Sequence, residues 1–183
     1  MLDVEAGEVI TMPTGGGEPV AGCVAGGGRV LAVADNEGVV FCANPLTGQL
    51  LWRFRAHSPV TCMASSGRRG RVALGYLDGS IDILDGSSGQ QLSQIRSART
   101  SAVEQIRFSP DGFLLASFGG DGHVQLHNTE HGQLTYRCPI SDESQLNGLA
   151  VNDLGRLIAY RQFGEALVRF DLSEPEDEDV IVL

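Results

Sequence analysis

Two classes of glycine recur along this chain at one spacing. Gly38, Gly79, Gly122 and Gly164 are separated by 41, 43 and 42 residues, and Gly7, Gly48, Gly89 and Gly132 by 41, 41 and 43. Glycine enters the left-handed backbone region at no steric cost, so a glycine that returns at a fixed interval marks a turn that returns with it. Two turn positions keeping one period make the chain a row of like units rather than one irregular domain.

The unit is clearest in VEQIRFSPDGFLLASFGGDGHVQLHN, from Val103 to Asn128. Val103, Ile106 and Phe108 form an apolar run that stops at Ser109-Pro110-Asp111-Gly112. That tetrapeptide suits a type I turn, with Pro110 preset for its second position and Gly112 closing the fourth. Phe113 to Phe118 is too apolar to have a wet face and reads as an interior strand. Gly119 to Gly122 turns again. His123 to His127 alternates polar and apolar, as a half-buried strand does, and Gln133 to Arg137 makes a fourth strand. A lone four-stranded sheet cannot bury both its faces. Repeated four-stranded units therefore predict an all-β fold, a β-propeller of antiparallel blades. The spacing predicts blades over 18–57, 58–99, 100–142 and 143–183, with 1–17 as the tail of a preceding blade and an acidic loop at 173–179. Four blades and a trailing hairpin fit part of a larger propeller better than a closed four-bladed ring whose last strand comes from residues 1–12.

FSPDGFLLASFGGDGHVQLHN resembles a WD repeat (WD40), and HSPVTCMAS resembles that family's passage into a new blade. The likeness covers nearly the whole chain. It implies a structural tetrad of a His before the first strand, a Ser or Thr on the second, an Asp in the following turn and a Trp on the third. Ser117 and Asp121 match in the third unit, and His57 and Asp78 in the second. The Trp is missing throughout: Leu2, Ala43, Leu84, His127 and Phe170 stand in its place, so the repeats are degenerate. GVVFCANPLTGQLLWRF also resembles a quinoprotein-type propeller repeat, in which Trp52 would pack between blades. That likeness implies a competing reading as an oxidoreductase, though no cofactor-bracketing set accompanies it. A third reading is a structural segment of a larger multidomain scaffold.

Charge narrows the partners. The formal net charge is −10, so tracking along a nucleic-acid backbone, which needs clustered Lys and Arg, is not expected. Cys23, Cys42, Cys62 and Cys138 form no CxxC pair and read as small apolar residues rather than a disulfide framework. No basic n-region or long apolar core opens the chain, and no apolar run is long enough to span a bilayer. A cytoplasmic protein with no membrane contact is the expectation.

The residues do not assemble an enzyme. His123 and His127 lie four apart on one strand, about 13 Å at strand rise, too far to share a metal. Gly15 to Gly17 and Gly26 to Gly28 lack the Lys-Ser/Thr of a phosphate loop, and no GxSxG occurs. Neither a catalytic group, a metal nor a cofactor is expected. Rim loops remain as the means of binding other proteins. Topology puts His57, Asp78, Arg96, Arg99 and Asp121 on one rim and the cluster Arg68, Arg69 and Arg71 on the other. Open blade edges would also allow self-association.

Overall fold

The computed structural model describes residues 16–96, 101–139, 148–152, 157–163, 166–171 and 178–181, the last three stretches by their backbone alone. The hairpin expected over 1–17 lies outside the described residues apart from Gly16 and Gly17, and Arg99, Gly7 and Gly164 lie outside them as well.

Sixteen strands form four sheets, each antiparallel and each laid down in chain order. The first holds β1 (Pro19–Ala25), β2 (Val30–Asp35), β3 (Val39–Ala43) and β4 (Leu50–Arg55). The second holds β5 (Val60–Ser66), β6 (Arg71–Tyr76), β7 (Ile81–Asp85) and β8 (Gln91–Ile95). The third holds β9 (Val103–Phe108), β10 (Leu114–Gly119), β11 (His123–Asn128) and β12 (Leu134–Pro139). The fourth holds β13 (Gly148–Val151), β14 (Leu157–Phe163), β15 (Ala166–Asp171) and β16 (Glu178–Ile181). Residues 178 and 179, read from their charge as loop, instead pair as an edge strand, with Glu178 opposite Phe170 and Asp179 opposite Arg169. An edge strand has one side of its backbone ladder in solvent, where charged residues are tolerated.

The first strands set the architecture. β5 adjoins β1, β9 adjoins β5, and β13 adjoins β9. The sheets are thus blades fanned about an axis, with β1, β5, β9 and β13 innermost. Among the described residues β13 is not packed against β1 as its neighbours are against one another. The fourth strand of the last sheet is Glu178–Ile181; residues 1–12, which the closed-ring alternative places in that blade, lie outside the described residues.

Each junction between blades holds its own core. β6 explains how one strand serves two of them. Its side chains alternate, so Val72, Leu74 and Tyr76 enter the core shared with the first blade. Ala73 enters the core shared with the third. Both faces are covered, and an unbroken apolar run is the consequence. Burial of each large apolar side chain stabilises by about 1.5–3 kcal/mol. The third junction gathers Ala116, Phe118, Val124 and Leu126 with Leu149 of β13.

The periodic glycines sit where the period implies. Gly38, Gly79 and Gly122 have φ of 79°, 84° and 68°, and Gly48, Gly89 and Gly132 have 69°, 73° and 66°. The second set closes one bond three times over: the N–H groups of Gly48, Gly89 and Gly132 donate to the carbonyls of Asn44, Asp85 and Asn128 at 2.9, 2.8 and 2.9 Å. The turn expected at Ser109–Gly112 is closed by the Gly112 N–H on the Ser109 carbonyl at 2.8 Å.

Candidate functional site

An open cleft of about 600 Å³ lies at the rim where the first two blades meet. β4 ends there with Phe54 and Arg55, the connection to β5 brings His57, the β6–β7 turn brings Asp78 and Ser80, and the end of β8 brings Gln94 and Arg96. A smaller depression of about 200 Å³ on the side of the first blade shares Arg55 and His57 with it and is lined also by Asn36 and Glu37.

His57 organises the floor. Its Nε2 lies 3.0 Å from Ser80 Oγ and 3.4 Å from Asp78 Oδ2, and its Nδ1 lies 3.5 Å from Asp82 Oδ2. Its ring stands 4.4 Å from the Tyr76 ring, centroid to centroid. Asp82 is the buried member, with a side chain only 1% exposed. A buried carboxylate is tolerable only when its oxygens are bonded. Here the Tyr76 hydroxyl donates to Oδ2 at 2.9 Å and Gln91 Nε2 donates to Oδ1 at 2.9 Å. Burial, with the Asp82 carboxylate beside it, pushes the Tyr76 phenol well above its ordinary range. Burial by itself would raise the Asp78 carboxyl. The Ser80 hydroxyl and N–H that donate to it, with His57 alongside, outweigh that and hold it below its usual value.

Three of the rim residues chosen from topology, His57, Asp78 and Arg96, therefore line one cleft. Asp121 sits in the equivalent turn of the third blade, 3.6 Å from Arg137 Nη2, and its backbone carbonyl lies 2.7 Å from His123 Nδ1. Arg55, Ser80, Asp82, Gln91 and Gln94 were not anticipated. Only Asp82 carries a sequence signal, a charge set inside the apolar run Ile81-Asp82-Ile83-Leu84.

On the opposite rim the arginine cluster divides. Arg69 reaches the third blade, with Nη1 2.9 Å from Glu130 Oε1 and its guanidinium carbon 3.4 Å above the Phe113 ring. Arg71 Nη1 donates to Thr129 Oγ1 at 2.6 Å. Both fasten the second blade to the third, whereas Arg68 is exposed. No cluster of three or more metal-binding side chains occurs among the described residues. No helix among them is long and apolar enough to cross a membrane.

Two family models match. The WD domain, G-beta repeat matches residues 48–85, and the anaphase-promoting complex subunit 4 WD40 domain matches residues 72–160. The chain belongs to the WD-repeat family. Among solved structures, U3-55K superposes with a TM-score of 0.79 at 17% identity, over 92% of this chain and 53% of its own. A chain from the structure of the mitotic checkpoint complex superposes at 0.75 with 18% identity, over 93% and 53%. The computationally designed Ika4 protein superposes at 0.68 with 20% identity, over 96% of both chains. This chain spans about half the length of the first and second of these. No curated protein matches it in sequence.

WD-repeat domains are in general non-enzymatic scaffolds that mediate protein–protein interactions. In WD-repeat terms, His57 and Asp78 stand at tetrad positions and do approach each other. With Leu84 in place of the family's Trp, the polar network runs instead through Asp82 to Tyr76. Trp52 meets the expectation of an inter-blade packing residue. It is buried in the core of the first junction, and its Nε1–H donates to the Gly86 carbonyl of the second blade at 2.9 Å. All four cysteines are free.

Proposed function

We propose that this WD-repeat chain is a non-enzymatic scaffold that grips another protein at the rim between its first two blades. The observation that carries this reading is the polar cleft itself. His57, Asp78 and Arg96 are brought together there from three separate connections. Blade packing holds their backbones rigid, so presenting them costs little ordering on association. The buried Asp82 anchors the floor rather than taking part in chemistry. The opposite rim is the lesser candidate, because Arg69 and Arg71 are already committed to the blade junction.

Affinity capture from cell extract tests this. The doubly reversed variant Arg55→Glu/Arg96→Glu should lose partners that the wild type retains, while Arg68→Ala should keep them. Capture that survives the cleft reversal and fails with Arg68→Ala would move the interface to the other rim. The free cysteines accord with a reducing compartment, and we place the protein in the cytoplasm. Fluorescence microscopy of a tagged chain checks that placement, and secretion of the tag would overturn it.

A further inference from the structure

We infer that the cleft recognises an acidic peptide segment, with partner carboxylates held by Arg55 and Arg96. The inference rests on the rim reading above and adds the chemistry of what binds there.

The ionised groups of the cleft divide into those already satisfied and those not. Asp82 takes bonds from Tyr76 and Gln91. Asp78 takes two from Ser80 and has His57 at 3.4 Å. The two guanidiniums differ. Among the described residues Arg55 makes no ion pair, and Arg96 bonds only the neutral Gln94 amide, through Nε at 3.0 Å. Both are exposed. Two carboxylates and two guanidiniums thus line the cleft, and the guanidiniums are the pair with no ionic partner among the described residues, in a chain whose formal net charge is −10.

Arg55 and Arg96 are also related by the repeat. They are 41 residues apart, one period, at the ends of the outer strands of neighbouring blades. Two guanidiniums thus line one cleft, and each is suited to carboxylate, which it binds through paired N–H groups. The smaller depression that shares Arg55 and His57 adds length on the side of the first blade, with one carboxylate, Glu37, in its lining. That shape fits an extended chain better than a single compact anion.

The test is fluorescence anisotropy with a labelled peptide of six glutamates, a matched peptide of six lysines, and inorganic phosphate as competitor. The wild type should bind the glutamate peptide and not the lysine peptide. Arg55→Glu and Arg96→Glu should each weaken it by about tenfold, the scale of one charge-assisted pair. Arg29→Glu changes an exposed arginine in the β1–β2 turn and alters net charge equally; it should stay within about twofold, since distant exposed charges are screened at physiological salt. Circular dichroism confirms that the three variants fold alike.

An equal loss in Arg29→Glu would overturn the inference, because only overall charge would be acting. Displacement by phosphate at equimolar concentration would overturn it in favour of a free-anion site. Binding of the lysine peptide, lost in Asp78→Asn, would reverse the assigned chemistry. A cellular partner lost on cleft reversal without any glutamate-peptide binding would sink this inference and leave the scaffold reading standing. A partner retained after cleft reversal would sink the scaffold reading at this rim.

Discussion

At Asp82 the strand pattern and the site meet. A carboxylate inside an apolar run is the one residue of β7 that the core would reject, and it is retained because Tyr76 and Gln91 bond both of its oxygens. Tyr76→Phe removes one donor and should lower stability by about 1–3 kcal/mol, the cost of leaving a buried acceptor unmatched. It should also change the alkaline limb. An unfolded chain ionises tyrosine near pH 10, whereas the fold holds Tyr76 protonated to higher pH. The unfolded state therefore releases its proton first, so stability contributed by this phenol is present below about pH 10 and lost above it. Urea unfolding at neutral pH and above pH 10 should show a steeper alkaline decline in wild type than in Tyr76→Phe. Equal slopes would remove Tyr76 as the titrating group. His57 and Asp78 could be picked out beforehand because they resemble a known motif. Arg55, Gln91 and Gln94 could not, since nothing local to those residues says which cleft they will face.

Between elements, the repeat is written twice, once in glycine and once in the residue that caps the turn. Asn44, Asp85 and Asn128 each accept the backbone N–H two residues on, from Leu46, Ser87 and Glu130, at 2.8, 3.0 and 2.8 Å. These side chains imitate a backbone turn, so strands three and four of the first three blades are joined by local chemistry alone. What joins one blade to the next is different. The Trp52 ring lies against the β7–β8 turn, and a Cβ placed on Gly89 would come within 2.7 Å of it. Gly89→Ala combines that contact with a φ of 73° and should destabilise by about 1–3 kcal/mol. A shift in Trp52 emission on thermal melting would locate the change; an unaltered melting temperature would show that the ring can move aside. The Arg69 contact on Phe113 and Glu130 is partly exposed, so its coupling should be small. A double-mutant cycle of Arg69→Ala with Phe113→Ala should return about 0.5–1 kcal/mol. A coupling of zero would make the stacking incidental.

For the whole molecule, the exposed side chains of β1 have a consequence for solution behaviour. Val20 and Val24 are 49% and 55% exposed, on the innermost strand of the first described sheet. An uncovered apolar blade face favours association. Sedimentation velocity over a range of concentrations should show reversible self-association, reduced by Val24→Asp. A single monomeric species at all concentrations would show that the exposed face does not drive assembly. Fold class and the four-stranded repeat could be read from the chain because each depends on residues a few positions apart: a glycine at positive φ, a capping Asx side chain, a two-residue alternation. The stacking of β1, β5, β9 and β13, the commitment of Arg69 and Arg71 to a blade junction, and the meeting of Arg55 and Arg96 in one cleft depend on contacts between residues tens of positions apart. No local pattern encodes those distances; they exist only once each blade has stacked on the one before it.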